Sequence, residues 1–312
     1  MTVASPGAPT RDERVRGRWL VFLATVSWGT SATLARAMFR DDGVSPVVAV
    51  ELRLLTAVAL LLAWMGLRQR DALRVERADL GYLLVLGTLG VAAVQVTYYH
   101  AIATLGVGPA ILLQYLAPSL IVAWDMLRGR KPRMSLVIAV GLALVGTTAI
   151  VSGMERGTMT ARPLDWAIGI ASAVVFAFYI VYSKRGLAKY RPETILFHTF
   201  SIAAIVYLVA VPQGRVLEEL SRPNTWWRFA LLGLFSTLVP FRAFYSGLRR
   251  LSPAEAGVIA TAEPVIAILA AAAFLGETLG PIQTLGAALV LVAALLASRE
   301  HDENTPAVAE RA

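Results

Sequence analysis

The chain alternates between long apolar runs and short polar joints. Apolar runs occupy about 19–39, 45–67, 80–102, 108–127, 134–152, 164–184, 194–212, 227–248, 254–275 and 281–298. A helix needs roughly 20 apolar residues to cross a bilayer, whereas a barrel strand crosses in about 9–11 residues of alternating polarity. Runs of this length without alternation predict an all-α integral membrane protein with ten transmembrane helices. Ser45-Pro46, Gly108-Pro109, Ser252-Pro253 and Gly280-Pro281 each stand before a run, where a proline's missing N–H costs nothing. Residues 1–18 and 299–312 are polar and read as tails. The first tail has no apolar stretch of its own, so the run beginning at Trp19 is the expected first insertion signal and no cleavable leader is expected.

The pattern divides the chain again, into two halves. Leu86-Gly87 matches Leu232-Gly233, Tyr99 matches Tyr245, Leu105 matches Leu251, Ala110 matches Ala256 and Pro118 matches Pro264, each pair 146 residues apart. Trp19 pairs with Trp166 at 147 and Gly141 with Gly286 at 145. The expected units are therefore two five-helix repeats, 19–152 and 164–298. Five is odd, so the second copy enters from the opposite side: the repeats are inverted. That is the architecture of many secondary transporters, whose substrate site lies near the midplane where the halves meet. Pro118 and Pro264 fall about ten residues into their runs. Each removes a backbone donor, which at membrane depth is tolerated where the break is buried or lines a cavity.

Composition sharpens this. The chain is 57% hydrophobic and 16% charged, with mean hydropathy +0.63, which excludes a soluble enzyme and general disorder. The absence of cysteine excludes disulfides and thiolate chemistry. The net charge of +8 suggests a polyanion partner until it is mapped. Of 29 Lys and Arg, 20 lie in tails, joints or run ends on the side of the N-terminus, seven in joints or run ends on the other side, and Arg53 and Arg242 lie deeper within runs. Positive residues stay in cytoplasmic loops, so both termini are expected in the cytoplasm, the membrane is the inner or plasma membrane, and no nucleic-acid partner is implied.

Polar groups inside the runs are the candidate chemistry, because charge in a span is costly and usually faces a cavity or a partner. Glu263, just before Pro264, stands where the first repeat has Ala117. It either meets a substrate amine, carries a proton or bonds to the kinked backbone. Arg53 either holds a substrate carboxylate or pairs with a carboxylate from another helix. Glu51 is read as solvated near a membrane interface, Arg242 as snorkelling to one, and His100 and His198 as plain hydrogen-bonding groups. Trp28, Tyr99, Gln114, Tyr115, Tyr179 and Tyr245 are candidate cavity residues, against interfacial anchoring or packing. Glycines 141, 146 and 286 read as close-packing faces, with a homodimer contact among their candidate roles. No metal site and no cofactor is expected.

The stretch YSGLRRLSPAEAGVIATAEPVIAILAAAAFLGETLGPIQTLGAALVLVAA from Tyr245 to Ala294 resembles the EamA-type, ten-helix branch of the drug/metabolite transporter superfamily. It carries that family's helix proline (Pro264), its Leu275-Gly276-Glu277 turn and Gly286; Trp28-Gly29 and Leu52-Arg53 fit the first repeat. The first repeat departs from the pattern at Arg128-Gly129-Arg130-Lys131-Pro132, where a Gly-Glu turn is expected. The resemblance implies transport of small metabolites, often amino acids and here by export, through alternating access. The alternatives are a lipid or polyprenyl-carrier flippase, which needs a laterally open groove, and an intramembrane enzyme. The enzyme reading finds no H-E-x-x-H or G-x-S-x-G, and the chain is expected not to be one.

Overall fold

The computed structural model describes residues 9–41, 44–105, 107–152, 162–222, 226–275 and 280–299, and within them all regular structure is helical. The helices are α1 (Arg11–Asp41), α2 (Pro46–Arg68), α3 (80–105), α4 (107–127, interrupted), α5 (Met134–Ser152), α6 (Pro163–Leu187), α7 (Pro192–Ala210), α8 (226–248), α9 (253–275, interrupted) and α10 (Pro281–Arg299). Eight segments, in α2 to α9, are long and apolar enough to cross a membrane, and Pro281–Ala297 of α10 is a shorter apolar helix. The outer surface is apolar as well: Leu127 and Val209 are among its most exposed side chains. That inversion of the soluble pattern suits a surface facing lipid.

The apolar runs foretell the helices to within a few residues, with two differences. The expected first tail is helical from Arg11, eight residues before the apolar run. Thr10 and Glu13 cap this start reciprocally, Glu13 Oε2 accepting from the Thr10 N–H (2.9 Å) and Thr10 Oγ1 from the Glu13 N–H (3.3 Å). A short helix, Gln213–Ser221, fills the joint between α7 and α8. The expected second tail, beyond Arg299, and the Gly276-Glu277 part of the turn lie outside the described residues. At the unexpected Arg128-Gly129 joint, α4 ends with Gly129 at φ 72°, a left-handed residue that lets the Arg130 N–H reach the Asp125 carbonyl (2.9 Å).

The repeat is visible in backbone detail. A π-helical stretch occupies Leu86–Ala92 in α3 and Leu232–Leu238 in α8, the same offset of 146 at both ends. The α-helix of α4 breaks at Tyr115-Leu116 and that of α9 at Thr261-Ala262, again 146 apart. The hydrogen bonds around the breaks correspond one to one. Leu116 N donates to Leu113 O and Leu120 N to Leu116 O; Ala262 N donates to Ile259 O and Ile266 N to Ala262 O. Pro118 and Pro264 lie two residues further on and can donate nothing to the carbonyls of Gln114 and Ala260.

The halves also pack reciprocally. Gly87 of α3 lies so close to α7 that a Cβ there would sit 2.7 Å from Ile202 Cβ and 3.1 Å from Thr199 O. Gly233 of α8 lies as close to α2, 2.6 Å from Thr56 Cβ and 3.2 Å from Arg53 O. Thr199 and Ile202 are Arg53 and Thr56 displaced by 146. Each repeat thus presses the glycine of its third helix onto the second helix of the other, as a pseudo-twofold relation requires. Gly146 and Gly286 bring α5 and α10 into backbone contact, whereas Gly141 faces open space.

Candidate functional site

Arg53 meets the π-helical stretch of α8, and Glu263 joins the two helix breaks. Arg53 is seven residues past Pro46, about 10 Å along α2, and Glu263 ten residues past Pro253, about 15 Å along α9. Both stand well inside a bilayer core of about 30 Å.

Glu263 opens the second half of α9, directly after the break. A helix N-terminus carries partial positive charge, which suits a carboxylate there. Tyr115, in the corresponding break of α4 and nearly buried, donates its hydroxyl to Glu263 Oε2 at 2.7 Å. The two breaks are therefore joined side chain to side chain. Glu263 keeps a second carboxylate oxygen and partial exposure.

Arg53 is not paired with a carboxylate among the described residues. Its Nη1 donates to Ser236 Oγ at 3.3 Å, its guanidinium lies 5.7 Å from the Tyr99 ring centroid, and its buried Nε has no hydrogen-bond partner. Ser236 belongs to the π-helical stretch of α8 and Tyr99 to α3, so Arg53 is held by both third helices. It interacts with Glu263 through the field alone, and Tyr98 lies within electrostatic reach of both charges.

The expected residues thus fall into two groups. Glu263, Tyr115, Arg53 and Tyr99 are brought together, with buried Gln114 adjoining the α4 break. Trp28, Tyr179 and Tyr245 form a second, aromatic layer. Trp28 meets Phe241 edge-on (5.1 Å) and Phe244 (5.5 Å), and Tyr179 stacks on Tyr245 (5.8 Å). Tyr245 shares a hydrogen bond with Ser183 (2.9 Å), and the buried Tyr179 hydroxyl lies beside the Tyr245 ring.

That layer lies toward the end of the bundle bearing Arg18 and Arg250, where polar contacts join several helices. Arg18 pairs with Glu255 (2.9 Å), and Lys184 donates to three carbonyls, including that of Leu251 at 2.7 Å. Tyr82 joins α3 to α6 through the Tyr182 carbonyl (2.9 Å) and the Gly186 N–H (3.0 Å). Lys189 bonds Glu76 and Asp79 (both 2.6 Å), contacts that raise its pKa above the ordinary lysine value.

One expectation, at Glu51, is corrected. Glu51 is not solvated: it is 0% exposed, because Gln213 of the short helix covers it and donates to its Oε1 (3.2 Å). Arg242, half-exposed, pairs with Glu193 in the first turn of α7 (2.7 Å) over the Trp64 ring. His100 bonds Asp165 (3.0 Å) and His198 the Thr194 carbonyl (2.8 Å), as plain hydrogen-bonding groups. Ser236 is a site residue that the sequence does not single out. Its only signal is its place in the second copy of the Leu-Gly motif, 183 residues from Arg53.

The EamA-like transporter family model matches residues 15–152 and again 166–299. The inner membrane transporter YicL of Salmonella typhimurium is 25% identical over 286 residues, covering 91% of this chain and 95% of that protein. An Archaeoglobus fulgidus transporter is 30% identical over 232 residues, covering 74% and 80%. The threonine/homoserine exporter RhtA of Escherichia coli K12 is 27% identical over 282 residues, covering 88% of each. A solved crystal structure shares the fold with a TM-score of 0.73 at 22% identity, covering 90% of this chain and 96% of that one. With both repeats matched and full-length relatives that are membrane transporters, the chain belongs to the EamA-like transporter family of the drug/metabolite transporter superfamily and is a multi-pass membrane transporter.

Proposed function

We propose that the protein exports small polar metabolites, amino acids or related compounds, across the inner or plasma membrane by alternating access. The observation that carries this reading is the Glu263–Tyr115 contact between the two helix breaks, with Arg53 in electrostatic range. In this reading the chain crosses the membrane ten times with both termini cytoplasmic, and the repeats are inverted. Glu263 meets a cationic group of the substrate with its second oxygen, and Arg53 meets an anionic group with the unpartnered edge at Nε. Tyr99 and Gln114 shape the site, and the Trp28–Tyr179–Tyr245 layer closes it toward the cytoplasm. One half rocks against the other about the glycine contacts, which permit sliding because they present backbone and no bulky side chain. The name of the RhtA relative supports the amino-acid class and the outward direction.

The test is a flux assay in proteoliposomes with a panel of labelled amino acids and small polar metabolites. Saturable movement of at least one panel member, competed by its unlabelled form, is expected. No saturable flux of any member, with protein inserted and monodisperse, overturns the reading.

A further inference from the structure

The Arg18 end of the bundle carries a second feature, separate from the residues around Glu263 and Arg53. A cleft of about 340 Å³ lies between the joint after α2 and the start of α7, lined by Arg68, Gln69, Asp71, Arg74, Lys189, Arg191 and Thr194 among others. Its charges do not cancel. Lys189 is satisfied by Glu76 and Asp79 outside the lining. Arg191 bonds only the neutral Gln69 Oε1 (3.2 Å), and Arg68 and Arg74 have no hydrogen-bond or ion-pair partner among the described residues. Against these three guanidinium groups the lining offers one carboxylate, Asp71.

Two further groups favour an anion. Thr194 is 2% exposed, lines the cleft, and its hydroxyl makes no hydrogen bond among the described residues. It sits in the first turn of α7, a 19-residue helix that starts with Pro192 at the cleft, so the positive end of the helix dipole points the same way. The position selects the source of the anion. Leu67, beside Arg68, is 80% exposed on the apolar surface, which puts the cleft at the junction of lipid tails and headgroups.

We propose that this cleft binds the phosphate headgroup of an anionic phospholipid, held by Arg68, Arg74 and Arg191 with Thr194 as hydroxyl donor. Basic pockets at the cytoplasmic ends of membrane helices suit this chemistry.

The experiment is native mass spectrometry of the detergent-purified full chain titrated with phosphatidylglycerol or phosphatidylcholine. Wild type is expected to retain one phosphatidylglycerol in preference to phosphatidylcholine. The double variant Arg68→Ala/Arg74→Ala is expected to weaken that retention about thirtyfold. Arg68→Lys/Arg74→Lys, which keeps the charge and guards against misfolding as the cause, is expected to hold most of it. Equal retention in wild type and the alanine variant overturns the proposal. So does bound lipid that millimolar inorganic phosphate displaces without any headgroup preference, which would make free phosphate the ligand.

Discussion

The two helix breaks share one backbone and carry different chemistry. At Tyr115-Leu116-Ala117 and at Thr261-Ala262-Glu263 the turns, the hydrogen bonds and the following prolines correspond residue for residue. Yet Glu263 stands opposite Ala117, Tyr115 opposite Thr261, and Arg53 opposite Thr199. Thr199 is buried and spends its hydroxyl on the Ile195 carbonyl of its own helix (2.7 Å), so it offers the centre nothing. Symmetry fixes where the breaks and bends fall. Asymmetry decides what they hold: one carboxylate and one guanidinium, close enough to feel each other and not paired. In the proposed reading, a site left in that state is complementary to a ligand with two charges of opposite sign.

Substitutions can break this comparison. Apart from loss of the Glu263 carboxylate itself, the largest effect is expected from Arg53→Met, which removes the guanidinium and keeps much of its apolar stem: flux through proteoliposomes should fall roughly 100-fold, the scale for losing one partner of a desolvated charge contact. Arg53→Lys should recover only part, since a point charge cannot reproduce the planar fork. Survival of full flux in Arg53→Met would remove Arg53 from the site.

The glycines test the symmetric half of the account. Gly87→Ala and Gly233→Ala each force a methyl against a side-chain Cβ at 2.7 Å or less, and each should cost about 1–3 kcal/mol by overpacking. Gly141→Ala, facing open space, should be neutral or mildly stabilising. Thermal unfolding in detergent reads all three, and unequal losses at Gly87 and Gly233 would contradict reciprocal packing.

A smaller effect is expected at Tyr115. Tyr115→Phe removes one hydrogen bond to a charged group, worth about 1.5–3 kcal/mol, and should lower flux by at least about tenfold and lower the thermal unfolding temperature as well. Smallest is Arg18→Ala. Its pair with Glu255 joins α1 to α9 at the Arg18 end; if, as proposed, that end closes in the resting state, the variant should bias it toward opening there and raise thiol labelling of a cysteine placed at Ser183. The cysteine-free chain makes that labelling specific. Unchanged labelling would mean the pair does not hold that end closed.

Much of the frame was legible in the sequence because membrane insertion writes it there. Apolar runs of helix length gave the helices, and glycine and proline at matching places gave the repeat. The details that make the site were not legible, because distant contacts produce them. Nothing in Leu86–Ala92 marks a π-helical stretch; it arises where Gly87 is pressed onto α7. The burial of Glu51 depends on Gln213, 162 residues away in a helix too short and polar to show as an apolar run. Among the described residues Arg53 pairs with no carboxylate; its neighbours, Ser236 and Tyr99, come from two other helices, and neither choice is written near Arg53 in the chain.

The most direct test is saturable solute flux in proteoliposomes holding equal amounts of wild type, Glu263→Gln and Thr199→Val. The amide in Glu263→Gln can still accept the Tyr115 hydrogen bond but carries no charge, and Thr199→Val alters the symmetric counterpart of Arg53. The account predicts that Glu263→Gln abolishes flux while Thr199→Val stays within about twofold of wild type. Equal flux in the two variants would contradict it.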